Sequence, residues 1–214
     1  MKRHPEYWYI LFIPGYIVSF FLVERLVPSS ADYWVSYCRL DDYIPFLEGF
    51  IVPYCLWYPL LAAVGFPLMF LDVPELKRYM RFLIIGCAFS LLFCLVFPNG
   101  QNLRPAVFPR ENVFTMLVAR IYASDTNTNV LPSMHGIGSV AACIGAWHSK
   151  VLRRWFPLVL VVAVLIILST VFVKQHSILD IFAGLLVCLP LWWLIYGRKP
   201  HRKKNASGSQ EVTK

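Results

Sequence analysis

Six apolar blocks, at roughly 8–27, 46–71, 82–98, 135–148, 156–173 and 177–196, take up most of this 214-residue chain. A helix needs about 20 apolar residues to cross the hydrocarbon of a bilayer. Blocks of that length leave no soluble domain beside them. With 58% hydrophobic and 15% charged residues, the chain reads as an all-α polytopic membrane protein. The expectation is a six-transmembrane-helix bundle over residues 1–197 and a short basic tail, 198–214, too polar to pack. The 135–148 block is the shortest and is rich in Gly and Ala, as expected where helices pack closely.

Charge placement orients the bundle. With the N-terminus inside, the inner segments hold Lys2 and Arg3; Lys77, Arg78 and Arg81; Lys150, Arg153 and Arg154; and the basic tail from Arg198 to Lys214. Of the 20 basic residues, the outer side keeps only Arg25, Arg39, Arg104, Arg110, Arg120 and Lys174. It also carries the acidic residues Asp32, Asp41, Asp42, Glu48, Glu111 and Asp125. Basic residues favour the cytoplasmic side, so both termini are expected there. The compact size favours a bacterial plasma membrane. The tail suits anionic lipid headgroups, and no nucleic-acid partner is expected. The first block is expected to stay in the membrane rather than act as a signal peptide cleaved near Ser29-Ser30-Ala31, because Glu24 and Arg25 interrupt that approach.

Five of the six cysteines (Cys55, Cys87, Cys94, Cys143 and Cys188) fall within blocks, and no CxxC spacing occurs. Free buried thiols are the expectation. Pro45, Pro53, Pro59 and Pro67 should bend the second block. The longest loop, 98–131, contains a stretch from Val107 to Tyr122 with mixed apolar and charged spacing, which reads as a short interfacial helix between the third and fourth spans.

Chemistry concentrates where two blocks begin on the outer side. Pro132-Ser133-Met134-His135-Gly136 opens the fourth span, and His176-Ser177-Ile178-Leu179-Asp180 opens the sixth. A histidine titrates near neutrality and can act as nucleophile, acid or base. The four-residue step from His176 to Asp180 puts carboxylate and imidazole on one helix face. A helix N-terminus presents unpaired N–H groups that suit an anion. Ser133 and Gly136 can offer donors, Arg104 a planar fork and Lys174 a point charge. Two imidazoles, an orienting carboxylate and an oxyanion site make the inventory of nucleophilic phosphoryl transfer, with no metal or other cofactor required. A metal site built from His135, His176 and Asp180 is disfavoured by the cations Arg104 and Lys174 nearby. Asp125, Asn129, Gln101 and Asn102 are candidates for the substrate entrance.

Arg104-Pro105, Pro132-Ser133-Met134-His135, and Ser169 with His176 and Asp180 resemble, in order, the three signature motifs of the type 2 phosphatidic acid phosphatase superfamily. Those motifs run Lys-x6-Arg-Pro, Pro-Ser-Gly-His and Ser-Arg-x5-His-x3-Asp. The resemblance covers about residues 97–184. It implies that His176 attacks phosphorus and becomes a phosphohistidine, that Asp180 orients it, and that His135 protonates the leaving oxygen. Arg104, Ser133 and Gly136 would hold the phosphoryl oxygens. Two positions depart from the pattern: Phe97 stands where the first motif has Lys, and Thr170 where the third has Arg. Lys174, Gln101 or Asn102 are candidates to compensate.

The resulting expectation is a membrane phosphatase acting on a lipid phosphate or diphosphate at the outer face. A lipid phosphotransferase similar to the inositol-phosphorylceramide-synthase branch is the first alternative, with an alcohol in place of water. An inactive lipid-phosphate binding protein or transporter is the second.

Overall fold

The computed structural model describes residues 5–27 and 32–197. The tail 198–214 and the segment 28–31 considered for cleavage lie outside the described residues. The chain is mostly helical. After a 3-10 turn at Pro5–Leu11 come α1 (Phe12–Leu26), β1 (Trp34–Val35), α2 (Leu40–Tyr43), α3 (Ile51–Cys55), α4 (Trp57–Leu71), α5 (Val73–Val96), β2 (Asn99–Gly100), α6 (Val113–Ser124), α7 (Met134–His148), α8 (Phe156–Phe172) and α9 (Ile178–Tyr196).

Five helical segments are long and apolar enough to cross a membrane: Pro5–Leu26, Glu48–Leu71, Val73–Val96, Arg153–Phe172 and Ile178–Tyr196. The sequence led us to expect six. The missing one is α7, whose 15 residues reach only about 22 Å at the α-helical rise. It still runs the length of the bundle. At one end the Ser133 N–H donates to the Asp180 carbonyl, 2.9 Å away, at the start of α9. At the other, His148 stacks on Tyr196 at the end of α9, and Ser149 donates to Asp72 just before α5. α7 packs on α4, α5, α8 and α9. Its Gly, Ala and Ser residues are mostly buried. It is the axis of the bundle, and its small side chains let four neighbours approach closely. The main core gathers around it: Val64 and Leu68 of α4, Tyr79, Phe82 and Leu83 of α5, Ile137 of α7 and Ile166 of α8.

The second apolar block bends as its prolines require. Pro59 has no N–H for the carbonyl four residues earlier, and the helix is interrupted at Leu56, between α3 and α4. α6 begins at Val113, later than the Val107 expected. Asn112 forms its capping box with Thr115, and Pro105 and Pro109 precede it. It packs over α3 through Val118, Ile51 and Tyr54.

Two short strands tie the loops of the same end together. Trp34 and Val35 pair in parallel with Asn99 and Gly100, and Gly100 bridges Thr128. Asn99 Oδ1 accepts from the N–H groups of Val130 and Leu131, which fixes the chain as it enters α7. Among the described residues all six cysteines are free.

Candidate active site

Asp180 is the structural centre of this end of the molecule. It is fully buried and is the third residue of α9. Ser177 caps α9, and the Asp180 side chain reaches back to accept the Ser177 N–H at 2.9 Å. His176 therefore precedes the helix instead of opening it. Its Nδ1 lies 3.3 Å from Asp180 Oδ2. The pairing comes from a capping box, not from two residues on one helix face as the spacing had implied. The second carboxylate oxygen accepts from Ser36 Oγ, which the paired strands deliver from the first loop. Asp41 of α2 adds a further hold on α9, accepting from Ser177 Oγ and the Ile178 N–H.

His135 is the second residue of α7. Its ring packs against Tyr54 (4.7 Å) and Trp57 (4.6 Å), which flank the interruption at Leu56. The His135 and His176 ring centres are 5.5 Å apart. Close helix contact makes this possible. A Cβ on Gly184 would stand 2.7 Å from the Ser133 carbonyl oxygen, and one on Gly138 the same distance from Trp57 Nε1. Gly184→Ala should therefore push the starts of α7 and α9 apart. The expected cost is about 1–3 kcal/mol of stability, the range for overpacking, with loss of activity. Denaturant unfolding in detergent checks the first and an activity assay the second.

Both histidines line a cavity of about 290 Å³. Its walls include Tyr16, Ile17, Phe20 and Phe21 of α1, Cys55 and Tyr58, and the loop residues Asp125, Thr126, Thr128, Asn129 and Gln175. Asp125 Oδ2 accepts from Tyr54 and Gln175. Withdrawal from bulk water pushes its carboxyl above the usual carboxylate range.

The remaining expected site residues sit behind this wall. Arg104 does not offer its fork to the cavity. It donates to the carbonyls of Tyr122, Asp125 and Thr126 and to Gln175 Oε1, and its Cζ lies 4.2 Å over the Tyr122 ring. Ser133 Oγ accepts the Gly136 N–H, so this pair caps α7. Lys174 turns away, giving Nζ to the carbonyls of Asp41 and Ile44. Burial lowers its ammonium below the usual lysine range. Gln101 donates to the Lys174 carbonyl, and Asn102 accepts from Tyr33 and Asn127. Both bind loop to loop. Phe97 packs on Trp34 and Phe93, and Thr170 bonds within its own helix. Asp125 and Asn129, expected at the entrance, are on the cavity wall itself.

Arg104 thus pins the loop that carries Asp125 and Thr126. Arg104→Ala should loosen that loop and lower kcat/KM by about 10²-fold, the order of loss when groups around a reacting centre are misplaced by about 1 Å. Arg104→Lys should not restore it, since one ammonium cannot serve that planar set of acceptors. Phosphate-release kinetics check both.

Sequence reasoning missed Ser36, Asp41, Tyr54, Trp57, Gln175 and Glu24. Glu24 is a buried carboxylate of α1 that accepts from Asn129 Nδ2 and the Thr126 N–H. Tyr54 and Trp57 stand three residues apart beside Pro53, and that spacing was the one available signal. Nothing local pointed Ser36 or Asp41 at α9.

A family model described as the PAP2 superfamily matches residues 60–204, more than half of the chain. No curated protein and no solved structure matches it.

Proposed function

The chain belongs to the PAP2 superfamily, whose members are generally phosphatases, and on that premise we propose that it releases phosphate from a lipid phosphate or diphosphate. The observation that carries this reading is the pair of imidazoles 5.5 Å apart in one cavity, one of them backed by a buried carboxylate. Asp180 holds the Nδ1 proton of His176, which frees Nε2 as the nucleophile. Nε2 attacks phosphorus, the bond to the leaving oxygen breaks, and His135 gives that oxygen its proton. A phosphohistidine remains. His135, now neutral, takes a proton from water, whose oxygen attacks phosphorus and releases phosphate and His176.

Two supports bear on placement. A lipid phosphate keeps its tail in the bilayer, and the cavity has an apolar side in Ile17, Phe20 and Phe21 of α1. Both ends of the described chain lie at the end of the bundle opposite the histidines, where Tyr7 meets Phe70 and Tyr196 meets Glu75. Lys77, Arg78 and Arg81 in the first turns of α5, and Arg153 and Arg154 before α8, belong to that opposite end, which supports a cavity on the outer face, α7 as a sixth crossing and α6 at the interface.

The test is phosphate release by the purified full chain in liposomes, across a panel of lipid phosphates and diphosphates. No release from any of them refutes the reading. Chelators should leave the rate unchanged. Both oxygens of Asp180 are already engaged, by Ser36 on one and by His176 and the Ser177 N–H on the other, so the carboxylate behind His176 has no oxygen to spare for a cation. Loss of activity in EDTA with recovery on adding zinc would overturn this.

A further inference from the structure

A cavity that handles phosphate is expected to be lined by cations, yet among the described residues no Lys or Arg is on the wall of this one. The loop that shares the cavity wall with the histidines carries acceptors instead. Asn129 is 3% exposed, and its amide nitrogen is committed to Glu24 Oε1 and the Val27 carbonyl. That fixes the orientation of the amide, and its Oδ1 is buried with no hydrogen-bond partner. Asp125 receives its two hydrogen bonds on Oδ2 alone, which leaves Oδ1 for another donor. Thr126 and Thr128 pair their hydroxyls beside them. Buried acceptors are nearly always satisfied in a working protein. Two acceptors carried by residues on the wall of one cavity, with more room there than a phosphoryl group needs, call for a ligand that brings donors.

We infer that Asp125 and Asn129 form a second subsite in the cavity, for a hydroxyl or ammonium group that binds beside the phosphoryl group. The inference rests on the phosphoryl-transfer reading of the two histidines. The donor group has two possible sources. It can belong to the lipid whose phosphate is removed, or to an alcohol that replaces water in the second step. In the latter case the acceptor oxygen bonds to phosphorus, the bond from phosphorus to His176 breaks, and the acceptor's proton passes to His135. A carboxylate at this wall repels a bare phosphate but attracts an ammonium, and it accepts from a hydroxyl.

The experiment uses the purified full chain in liposomes and has two arms. The first compares kcat/KM for sphingosine 1-phosphate, which carries an ammonium and a hydroxyl near its phosphate, with that for phosphatidic acid, which carries neither. The second supplies phosphatidic acid with glycerol or inositol and measures polyol phosphate against free phosphate. The wild type should prefer the donor-bearing partner at least tenfold in one arm, and that arm identifies the source. Asp125→Asn, which keeps the shape of the side chain, and Asn129→Gly, which tolerates the backbone φ of 59° at this position, should each cut that preference at least tenfold. A preference unchanged in the variants overturns the inference. So does a wild type with no preference in either arm, a result that holds even if both variants fail to fold. No phosphate release from any lipid by folded protein overturns the reading of the histidines, and the subsite falls with it.

Discussion

His176→Ala should abolish turnover, with neither free phosphate above background nor label retained on the protein from a radiolabelled lipid phosphate. Among the described residues, no other side chain on the cavity wall combines a ring nitrogen with a carboxylate behind it. Asp180→Asn should leave the imidazole in place but lose control of its tautomer. In His–Asp pairs elsewhere that loss is worth roughly 10⁴-fold in kcat. Ser36→Ala should act in the same direction and more weakly, because it removes one hydrogen bond to a carboxylate, worth about 1.5–3 kcal/mol. The graded order His176, Asp180, Ser36 is the signature of a nucleophile, its orienter and the orienter's own support. Equal losses in all three would instead mean that the first turn of α9 simply unfolds, which near-native circular dichroism and thermal unfolding would reveal.

How far this arrangement could be read beforehand depends on the range of the contacts. The His135 and His176–Asp180 segments were recognisable because each begins an apolar block and carries its chemistry within a few residues. Even there the reason for the His176–Asp180 contact was misread. Helical periodicity suggested a shared face, whereas the capping box brings the carboxylate back past the helix start. Ser36 and Asp41 were invisible because they act on residues more than 130 positions away. An acidic residue in an outer loop reads as topology. Arg104 was legible as a residue and not as a partner: a guanidinium offers the same fork to phosphate and to a set of carbonyls, and the choice depends on a loop whose path the sequence does not reveal. The bundle itself was legible from apolar blocks. The shortness of α7 was visible too, but its central position follows from packing that no single block specifies.

The second large effect is expected at His135. His135→Ala should lower turnover of ordinary lipid phosphates by roughly 10²–10⁴-fold, the usual worth of a general acid–base group. The leaving group should decide how much of that appears. An aryl phosphate with an acidic phenol, such as p-nitrophenyl phosphate, departs without needing a proton, so its first half-reaction should survive. The second half-reaction, which needs a base, should not. The expected trace is a burst of one p-nitrophenol per protein followed by a slow phase, with phosphate held on His176. An equal loss for activated and ordinary substrates, with no burst, would remove His135 from acid–base duty. Tyr54 and Trp57 sharpen this test, because both pack against the ring and replacing it leaves a gap to be controlled for. His135→Gln fills much of that gap without supplying the acid.

The ties at Asp180 have a consequence for the order in which the protein becomes competent. Its carboxylate is held by Ser36, its carbonyl by Ser133, and the helix it begins by Asp41. All three are made long before Asp180 leaves the ribosome. They have nothing to grip until α9 is synthesised and packed into place. A nascent chain lacking only that helix already contains His135, His176, the aromatic pair Tyr54 and Trp57, and Arg104, yet it lacks the carboxylate that backs His176. The His176–Asp180 pair is completed in one step, when α9 arrives.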